Sequence, residues 1–286
     1  MRITVGHTPD SDDAFMFYGM LAGGVRSPGF EVEHVVEDIE ALNRRAATPQ
    51  LDVTAVSVHA CAHIPGYTIL RSGGSFGLGY GPLLVTRNED GGTAPGELAD
   101  AKRTIAVPGR MTSAFLLLQT AIGRFDYLEM NFAQIPEAVR SGKVDAGLVI
   151  HEAQLSYASE GLASVLDLGR WWSEKTGGLP VPLGVNVMRT DLGDETISRF
   201  DAYLRDSILY GLENSSDAIE YAMQYSRGKP PEMIRRFVRM YVNESTVNMK
   251  EAGEKAINTM FEMAFERDLL AGRDGGPFRP RIAPKL

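Results

Sequence analysis

Short apolar runs alternate with segments of helical periodicity through the first part of the chain. Runs at residues 2–7, 31–37, 51–56 and 67–71 are bounded by turn residues and predict strands. Segments 14–21 and 39–47 between them predict helices, the first capped by Asp12 or Asp13. This alternation of strands and helices predicts an α/β fold with a largely parallel sheet.

The same pattern continues to residue 189, after which the chain is mostly helical. Segments 82–87 and 182–189 both begin with proline and leucine and end with arginine, and they bracket a long insert. We interpret them as paired hinge strands that leave one domain and return to it. The prediction is therefore a discontinuous large domain of residues 1–87 plus 190–286 and an inserted small domain of residues 88–189.

Glycines crowd the segment from Gly73 to Gly81. A dinucleotide-binding loop would have to open a helix, but a strand pattern follows here, so we reject that interpretation. The glycines instead predict that this backbone passes close to another chain segment or to a ligand.

Composition excludes several classes of function. The chain has 286 residues and a net charge of −8, which disfavours nucleic acid as a partner. It has no apolar run long enough to span a membrane, and its first residues enter a strand without a signal-peptide pattern. The single cysteine, Cys61, excludes an internal disulfide. We expect a cytoplasmic protein whose partner is a small molecule, without nucleic acid or membrane; the sequence leaves a homodimer open.

His151 is the first candidate for chemistry. It follows the apolar run 144–150, which predicts a buried strand, and strand ends line the ligand crevice of open α/β sheets. A histidine there is suited to act as a general base. The alternative is a histidine that only satisfies a backbone carbonyl in the turn.

A second candidate is the connection from Pro108 to Ser113, between a strand and an apolar helix. Its hydroxyls and the free amides of a helix start form a potential anion site, to which Arg110 adds positive charge. The alternative is simple capping of the helix by Thr112, and both roles are compatible.

Two groups of side chains resemble metal ligands without meeting the requirements of a site. His59 and His63 have helical spacing around Cys61, but no third ligand is spaced with them, so we favour a packing role. The acidic turn after His7 lacks the spacing of a calcium loop, and its aspartates suit turn and cap positions. We therefore predict no metal, and we find no motif for covalent or nucleotide chemistry.

Several segments together carry a family resemblance. They are Asp38-Ile39-Glu40-Ala41-Leu42-Asn43-Arg44, Arg71-Ser72-Gly73-Gly74, Gly79-Tyr80-Gly81-Pro82-Leu83, Val107-Pro108-Gly109-Arg110-Met111-Thr112-Ser113-Ala114, Ala146-Gly147-Leu148-Val149-Ile150-His151-Glu152 and Asp167-Leu168-Gly169. Through them the chain resembles the 1,4-dihydroxy-6-naphthoate synthases, which belong to the futalosine route to menaquinone. The resemblance extends from the first strand to about residue 242.

The resemblance implies a type II periplasmic-binding-protein-like fold with two domains, two hinge strands and a cleft between them. It implies a lyase that cleaves cyclic de-hypoxanthine futalosine to 1,4-dihydroxy-6-naphthoate without a cofactor. His151 matches the family's proposed base. Ser57, Thr112 and Ser113 match hydroxyl positions of the cleft and Asn43 a polar one; we add Arg110 as a positive charge for the anionic substrate.

One departure from the family concerns the turn after the first strand. Where the synthases typically have Ser-Pro-Cys-Pro-Asn-Asp-Thr, this chain has Thr-Pro-Asp-Ser-Asp-Asp-Ala at positions 8–14. The added carboxylate should repel an anionic ligand if it points inward. Two alternatives stay open: a solute-binding protein for a small anion, and chorismate dehydratase on the same fold. The His151-Glu152 pair favours the synthase over the dehydratase.

Overall fold

A computed structural model describes residues 1–100, 102–225, 228 and 230–285. The strands, in chain order, are β1 (Arg2–His7), β2 (Glu31–Val36), β3 (Val53–Ser57), β4 (Tyr67–Ile69), β5 (Ser75–Gly77), β6 (Leu83–Arg87), β7 (Ile105–Val107), β8 (Tyr127–Glu129), β9 (Ala146–Val149), β10 (Leu162–Asp167) and β11 (Val181–Arg189). The α-helices are α1 (Ser11–Leu21), α2 (Ile39–Ala46), α3 (Ser113–Ile122), α4 (Ile135–Arg140), α5 (Ala153–Ser156), α6 (Leu168–Thr176), α7 (Asp194–Glu213), α8 (Ser215–Ala222), α9 (Pro231–Tyr241), α10 (Glu244–Val247) and α11 (Lys250–Glu266). The predicted α/β class is confirmed.

The chain forms two units. The first contains Met1–Phe76, Leu183–Glu254 and Pro280–Leu286, and the second contains Gly77–Pro182 and Lys255–Arg279. The chain leaves the first unit after Phe76 and returns to it at Leu183, before the boundaries predicted at residues 87 and 189. The reason is strand pairing: β6, the first predicted hinge strand, pairs with β9 and β10 inside the second unit.

The first unit is built on a mixed sheet of order β2-β1-β3-β11-β4, with β5 also paired to β11. β1 is parallel to β2 and β3, as predicted, whereas β11 runs antiparallel to β3 and β4. Carboxyl ends of parallel strands meet at one edge of a sheet. The loop after β1 and Ser57 at the end of β3 therefore lie at the same edge.

The second unit has a sheet of order β10-β6-β9-β7-β8. β7 is parallel to both β8 and β9, and β6 is antiparallel to β9 and β10. The carboxyl ends of β7, β8 and β9 thus share an edge. That edge carries the connection 108–113, Phe132 and His151.

Each unit has its own core. In the first, aromatic and branched side chains of α1 and α7, including Phe15, Phe200 and Leu204, are fully buried with Ile3 and Val5 of β1. In the second, the core includes residues from β6, β7, β9 and α4. Among the described residues, no helix is both long and apolar enough to cross a membrane.

The glycine-rich segment passes close to other parts of the chain, as predicted. Gly73 donates its amide hydrogen to the Thr246 carbonyl at 2.7 Å and accepts from Asn186 Nδ2 at 2.9 Å. Further along, the backbone of Gly81 lies against that of Gly169 in the second unit. The segment also contains β5, a short strand that the sequence pattern did not reveal.

His34 on β2 gives the first unit a specific pH dependence. Its ring lies 5.2 Å from that of His7 and 5.7 Å from that of Phe17. Burial, and next the charge of His7, lower the pKa of His34 to about 4. Because an unfolded histidine titrates near pH ~6.5, the neutral ring stabilises the folded state fully above that pH, and this stability is lost as pH falls toward about 4.

We expect this group to remove on the order of 2 kcal/mol from the free energy of unfolding between about pH 7 and about pH 4, after allowance for its partial exposure. Urea unfolding of the wild type and of His34→Gln at several pH values across this range gives the free energy of unfolding as a function of pH. The contribution of His34 is the difference between the slopes of the two curves. The variant should show the shallower slope. Equal slopes would mean that protonation of His34 does not affect the stability of the fold.

Candidate functional site

The acidic loop after β1 is ordered by one of its own carboxylates. Asp13 Oδ2 accepts hydrogen bonds from Thr8 N at 2.6 Å and Thr8 Oγ1 at 2.8 Å. α1 begins at Ser11, three residues earlier than predicted, so Asp12 and Asp13 lie in its first turn. The predicted capping by either is wrong, because Asp10 occupies the cap position and makes no side-chain cap bond.

The surroundings of this loop set the charge of Asp13. Its burial raises the pKa of the carboxyl, which the charge of His7 and the hydrogen bonds from Thr8 oppose. His7 Nδ1 lies 3.0 Å from the Thr8 carbonyl, so the ring belongs to the same polar group. The Asp13 carboxylate therefore stabilises the turn before α1, a turn role of the kind predicted for these aspartates.

Asn43 and Ser57, two of the predicted binding residues, are in direct contact. Asn43 lies on α2 and Ser57 ends β3. The Ser57 amide donates to Asn43 Oδ1 at 2.8 Å, and Asn43 Nδ2 donates to Ser57 Oγ at 3.1 Å. Asn43 also donates to Glu40 Oε2 at 3.3 Å, a residue to which we assigned no role from the sequence. Its position one turn before Asn43 on the helix is the signal that could have identified it.

Beyond Ser57, His59 begins a 3-10 turn, His59–Ala62, and His63 is the residue that follows it. His59 Nε2 and His63 Nε2 are 3.3 Å apart, at hydrogen-bond distance, and Cys61 Sγ instead lies 3.9 Å from the Ser57 carbonyl. Burial raises the pKa of the Cys61 thiol to about 12, so it is not a nucleophile. Within the part of the chain that the structure describes, no three His, Cys, Asp or Glu side chains are arranged to hold a metal.

In the second unit, Thr112 caps α3 as predicted. Its Oγ1 accepts from Phe115 N at 3.2 Å and donates to the Gly109 carbonyl at 2.7 Å. Ser113 is the first residue of α3 and is buried. The Arg110 side chain is two-thirds exposed, and its Nε lies 3.9 Å from Glu129 Oε1. The capping role is confirmed, whereas the anion site remains a prediction.

His151 lies two residues beyond the end of β9, at the edge that also carries residues 108–113. Its backbone is left-handed, with φ 53°, a conformation that costs energy for a residue with a Cβ atom. Its ring packs against that of Phe132, which follows β8, with 4.7 Å between the two ring centroids. Backbone strain of this kind concentrates at functional sites, which favours a role beyond packing. The sequence did not single out Phe132.

Together, the fold and these edges define the class of protein. Two α/β units formed by one chain that passes between them, each with polar groups at the carboxyl edge of its sheet, are typical of periplasmic-binding-protein-like proteins. A solved relative in fold is the alkanesulfonate-binding protein of Xanthomonas axonopodis pv. citri, with a TM-score of 0.68 and 14% identity, covering 95% of each chain. The predicted two-domain fold of this class is confirmed.

Sequence comparison places the chain more narrowly. The family model for menaquinone biosynthesis matches residues 3–266, and the chain belongs to that family. It is 38% identical to the 1,4-dihydroxy-6-naphthoate synthase of Thermus thermophilus over 94% of this chain and 96% of the relative. The corresponding protein of Streptomyces coelicolor is 33% identical, with 94% of each chain covered. A solved protein of Archaeoglobus fulgidus is 48% identical, with a TM-score of 0.86 and coverage of 94% of this chain and 98% of the other. The chain is an enzyme of menaquinone biosynthesis.

Proposed function

We propose that this enzyme is a carbon–carbon lyase that converts cyclic de-hypoxanthine futalosine to 1,4-dihydroxy-6-naphthoate. The observation that carries the proposal is the 38% identity, over 94% of the chain, to a protein that bears the name of this synthase.

His151 is the general base in this proposal. It removes a proton from the sugar-derived part of the substrate, and the electron pair left behind drives cleavage of a carbon–carbon bond. The released ring becomes aromatic as the naphthoate, which makes the products favourable. An imidazole suits this task because its ordinary pKa, about 6.5, is close to neutral pH. Its position at the carboxyl edge of the second unit's sheet supports the assignment.

Four polar side chains and one cation complete the proposed site. Ser57, Thr112 and Ser113 bind the hydroxyl and carboxylate groups of the small anionic substrate, Asn43 holds the Ser57 hydroxyl in the site, and Arg110 adds positive charge. The amides at the start of α3 favour an anion, because they are the positive end of that helix. Following the family resemblance, the proposal includes no cofactor. It also includes action in the cytoplasm, which suits a chain with one cysteine.

The experiment that tests the proposal separates it from both alternatives. Purified protein is incubated with cyclic de-hypoxanthine futalosine and, separately, with chorismate, and the products are resolved by chromatography with mass detection. Formation of 1,4-dihydroxy-6-naphthoate from the first compound alone is the expected result. Dehydration of chorismate would identify the sister enzyme, and unchanged recovery of a tightly bound compound would identify a binding protein.

A further inference from the structure

The orientation of the Asn43 side-chain amide is fixed by its neighbours. The Ser57 backbone N–H can only donate, so the atom that faces it at 2.8 Å must be Oδ1. The amino group Nδ2 must then point to Ser57 Oγ at 3.1 Å and to Glu40 Oε2 at 3.3 Å. Asn43 is fully buried, which makes each of these partners costly to lose.

This orientation decides what the Ser57 hydroxyl can do. A hydroxyl has one hydrogen to donate and two lone pairs, and Asn43 Nδ2, which has no lone pair, engages one of those lone pairs. Among the residues that the structure describes, none accepts the Ser57 hydroxyl hydrogen. Ser57 is therefore set as a hydrogen-bond donor to a bound molecule.

Glu40 holds the other end of this chain of hydrogen bonds. Its side chain is only 14% exposed, its Oε2 accepts from Asn43, and its Oε1 accepts from Arg44 Nε at 3.1 Å. A carboxylate accepts but never donates when ionised, so it favours the amide orientation that presents Nδ2. The carboxylate and the Ser57 amide act on opposite ends of the Asn43 amide and enforce the same orientation.

We propose that Glu40 is a positioning residue which, through Asn43, directs the Ser57 hydroxyl hydrogen to an oxygen acceptor of the substrate, a carboxylate or carbonyl oxygen. The inference rests on the proposed function in one respect, the binding of that substrate by Ser57. It adds the polarity of the contact and a residue outside the assigned site.

The first test inverts the polarity at residue 43 with a variant of nearly the same shape. In Asn43→Asp, the atom facing Ser57 Oγ becomes an acceptor at neutral pH and captures the hydroxyl hydrogen. We expect KM for cyclic de-hypoxanthine futalosine to rise about tenfold or more, as in Ser57→Ala, with kcat within about twofold of wild type. The Asn43→Asp defect should shrink as pH falls, because a protonated carboxyl group can donate again. An unchanged KM, or a defect that does not respond to pH, would overturn the inference.

The second test concerns Glu40. Glu40→Ala should raise KM severalfold, and Glu40→Gln should restore part of the loss, because its carbonyl oxygen can accept from Asn43 Nδ2. Arg44→Ala is the matched control: it removes the ion pair of Glu40 and leaves the contact with Asn43, so KM should stay within about twofold. Equal defects in Glu40→Ala and Arg44→Ala would assign the effect to the ion pair and remove Glu40 from its positioning role.

A readout without turnover separates this inference from the proposed function. The Asn43 side-chain amide signals in nitrogen-15 spectra should show slow exchange with water in the wild type and faster exchange in Glu40→Ala, whatever the substrate is. If the wild type neither binds nor converts cyclic de-hypoxanthine futalosine, the substrate half of the inference fails together with the proposed function. Fast exchange of the Asn43 amide in the wild type would refute the positioning half on its own.

Discussion

Replacement of His151 by asparagine should lower kcat at least about a thousandfold and leave the fold intact. Loss of a positioned base typically costs about a hundredfold to ten-thousandfold, and here no other described titratable side chain is assigned to proton removal. Asparagine is the informative substitution, because it tolerates the left-handed backbone at φ 53° and cannot take up a proton at neutral pH. Steady-state kinetics and isothermal titration with cyclic de-hypoxanthine futalosine measure turnover and affinity separately.

Two companion variants give the His151 result its meaning. His151→Ala removes the base but leaves a less tolerant residue at a positive φ, so it should lose activity equally and also unfold at a slightly lower temperature. Phe132→Leu keeps the imidazole and removes the ring that packs on it. We expect a smaller loss of kcat there than in either His151 variant. Substantial turnover by His151→Asn would exclude His151 as the base.

Replacement of Gly169 by alanine should lower the free energy of unfolding by about 3–5 kcal/mol. A Cβ atom at this position would lie 2.3 Å from the Tyr80 carbonyl carbon and 2.5 Å from Gly81 N. Both are backbone atoms, so no side-chain rotation can relieve the clash. The backbone at residues 80–82 and the start of α6 are also joined by the hydrogen bond from Leu168 N to the Pro82 carbonyl at 3.0 Å. The clash would stretch this bond.

The matched control for this prediction is Gly92→Ala in the same unit. No atom lies within 4 Å of a Cβ atom built on Gly92, and its φ lies outside the left-handed range. We expect a change of less than about 1 kcal/mol, because alanine there only restricts the unfolded chain. Denaturant unfolding of the two variants under one set of conditions decides the matter. Equal midpoints for Gly169→Ala and the wild type would show that the two segments can separate at little cost.

The elements with regular periodicity were predictable from the sequence, and those set by tertiary contacts were not. β1 has the predicted bounds, and the helix predicted at residues 39–47 is α2, which ends one residue earlier. β5 was missed because three residues with two polar or small side chains carry no periodic signal. The domain boundaries differ because β6 and β11 look alike in sequence, while pairing places β6 in the sheet of the second unit and β11 in that of the first.

The candidate site shows the same division. The sequence predicted Asn43 and Ser57 as polar residues of the site, but not that they contact each other, since 14 positions separate them and contact depends on how α2 packs on β3. It predicted caps at Asp12 or Asp13, because aspartate before an apolar helix is a general signal. The helix instead begins at Ser11, and Asp13 in its first turn accepts a hydrogen bond from the Thr8 amide. Fold and strand ends follow from pattern, whereas hydrogen-bond partners follow from packing.

The measurement that tests the central claim most directly is the amount of 1,4-dihydroxy-6-naphthoate formed per protein chain from cyclic de-hypoxanthine futalosine. The wild type should release many product molecules per chain, in a fixed ratio to the substrate consumed, and His151→Asn should release almost none. Substrate that is bound one per chain and recovered unchanged from the wild type would contradict the account and make the protein a binding protein.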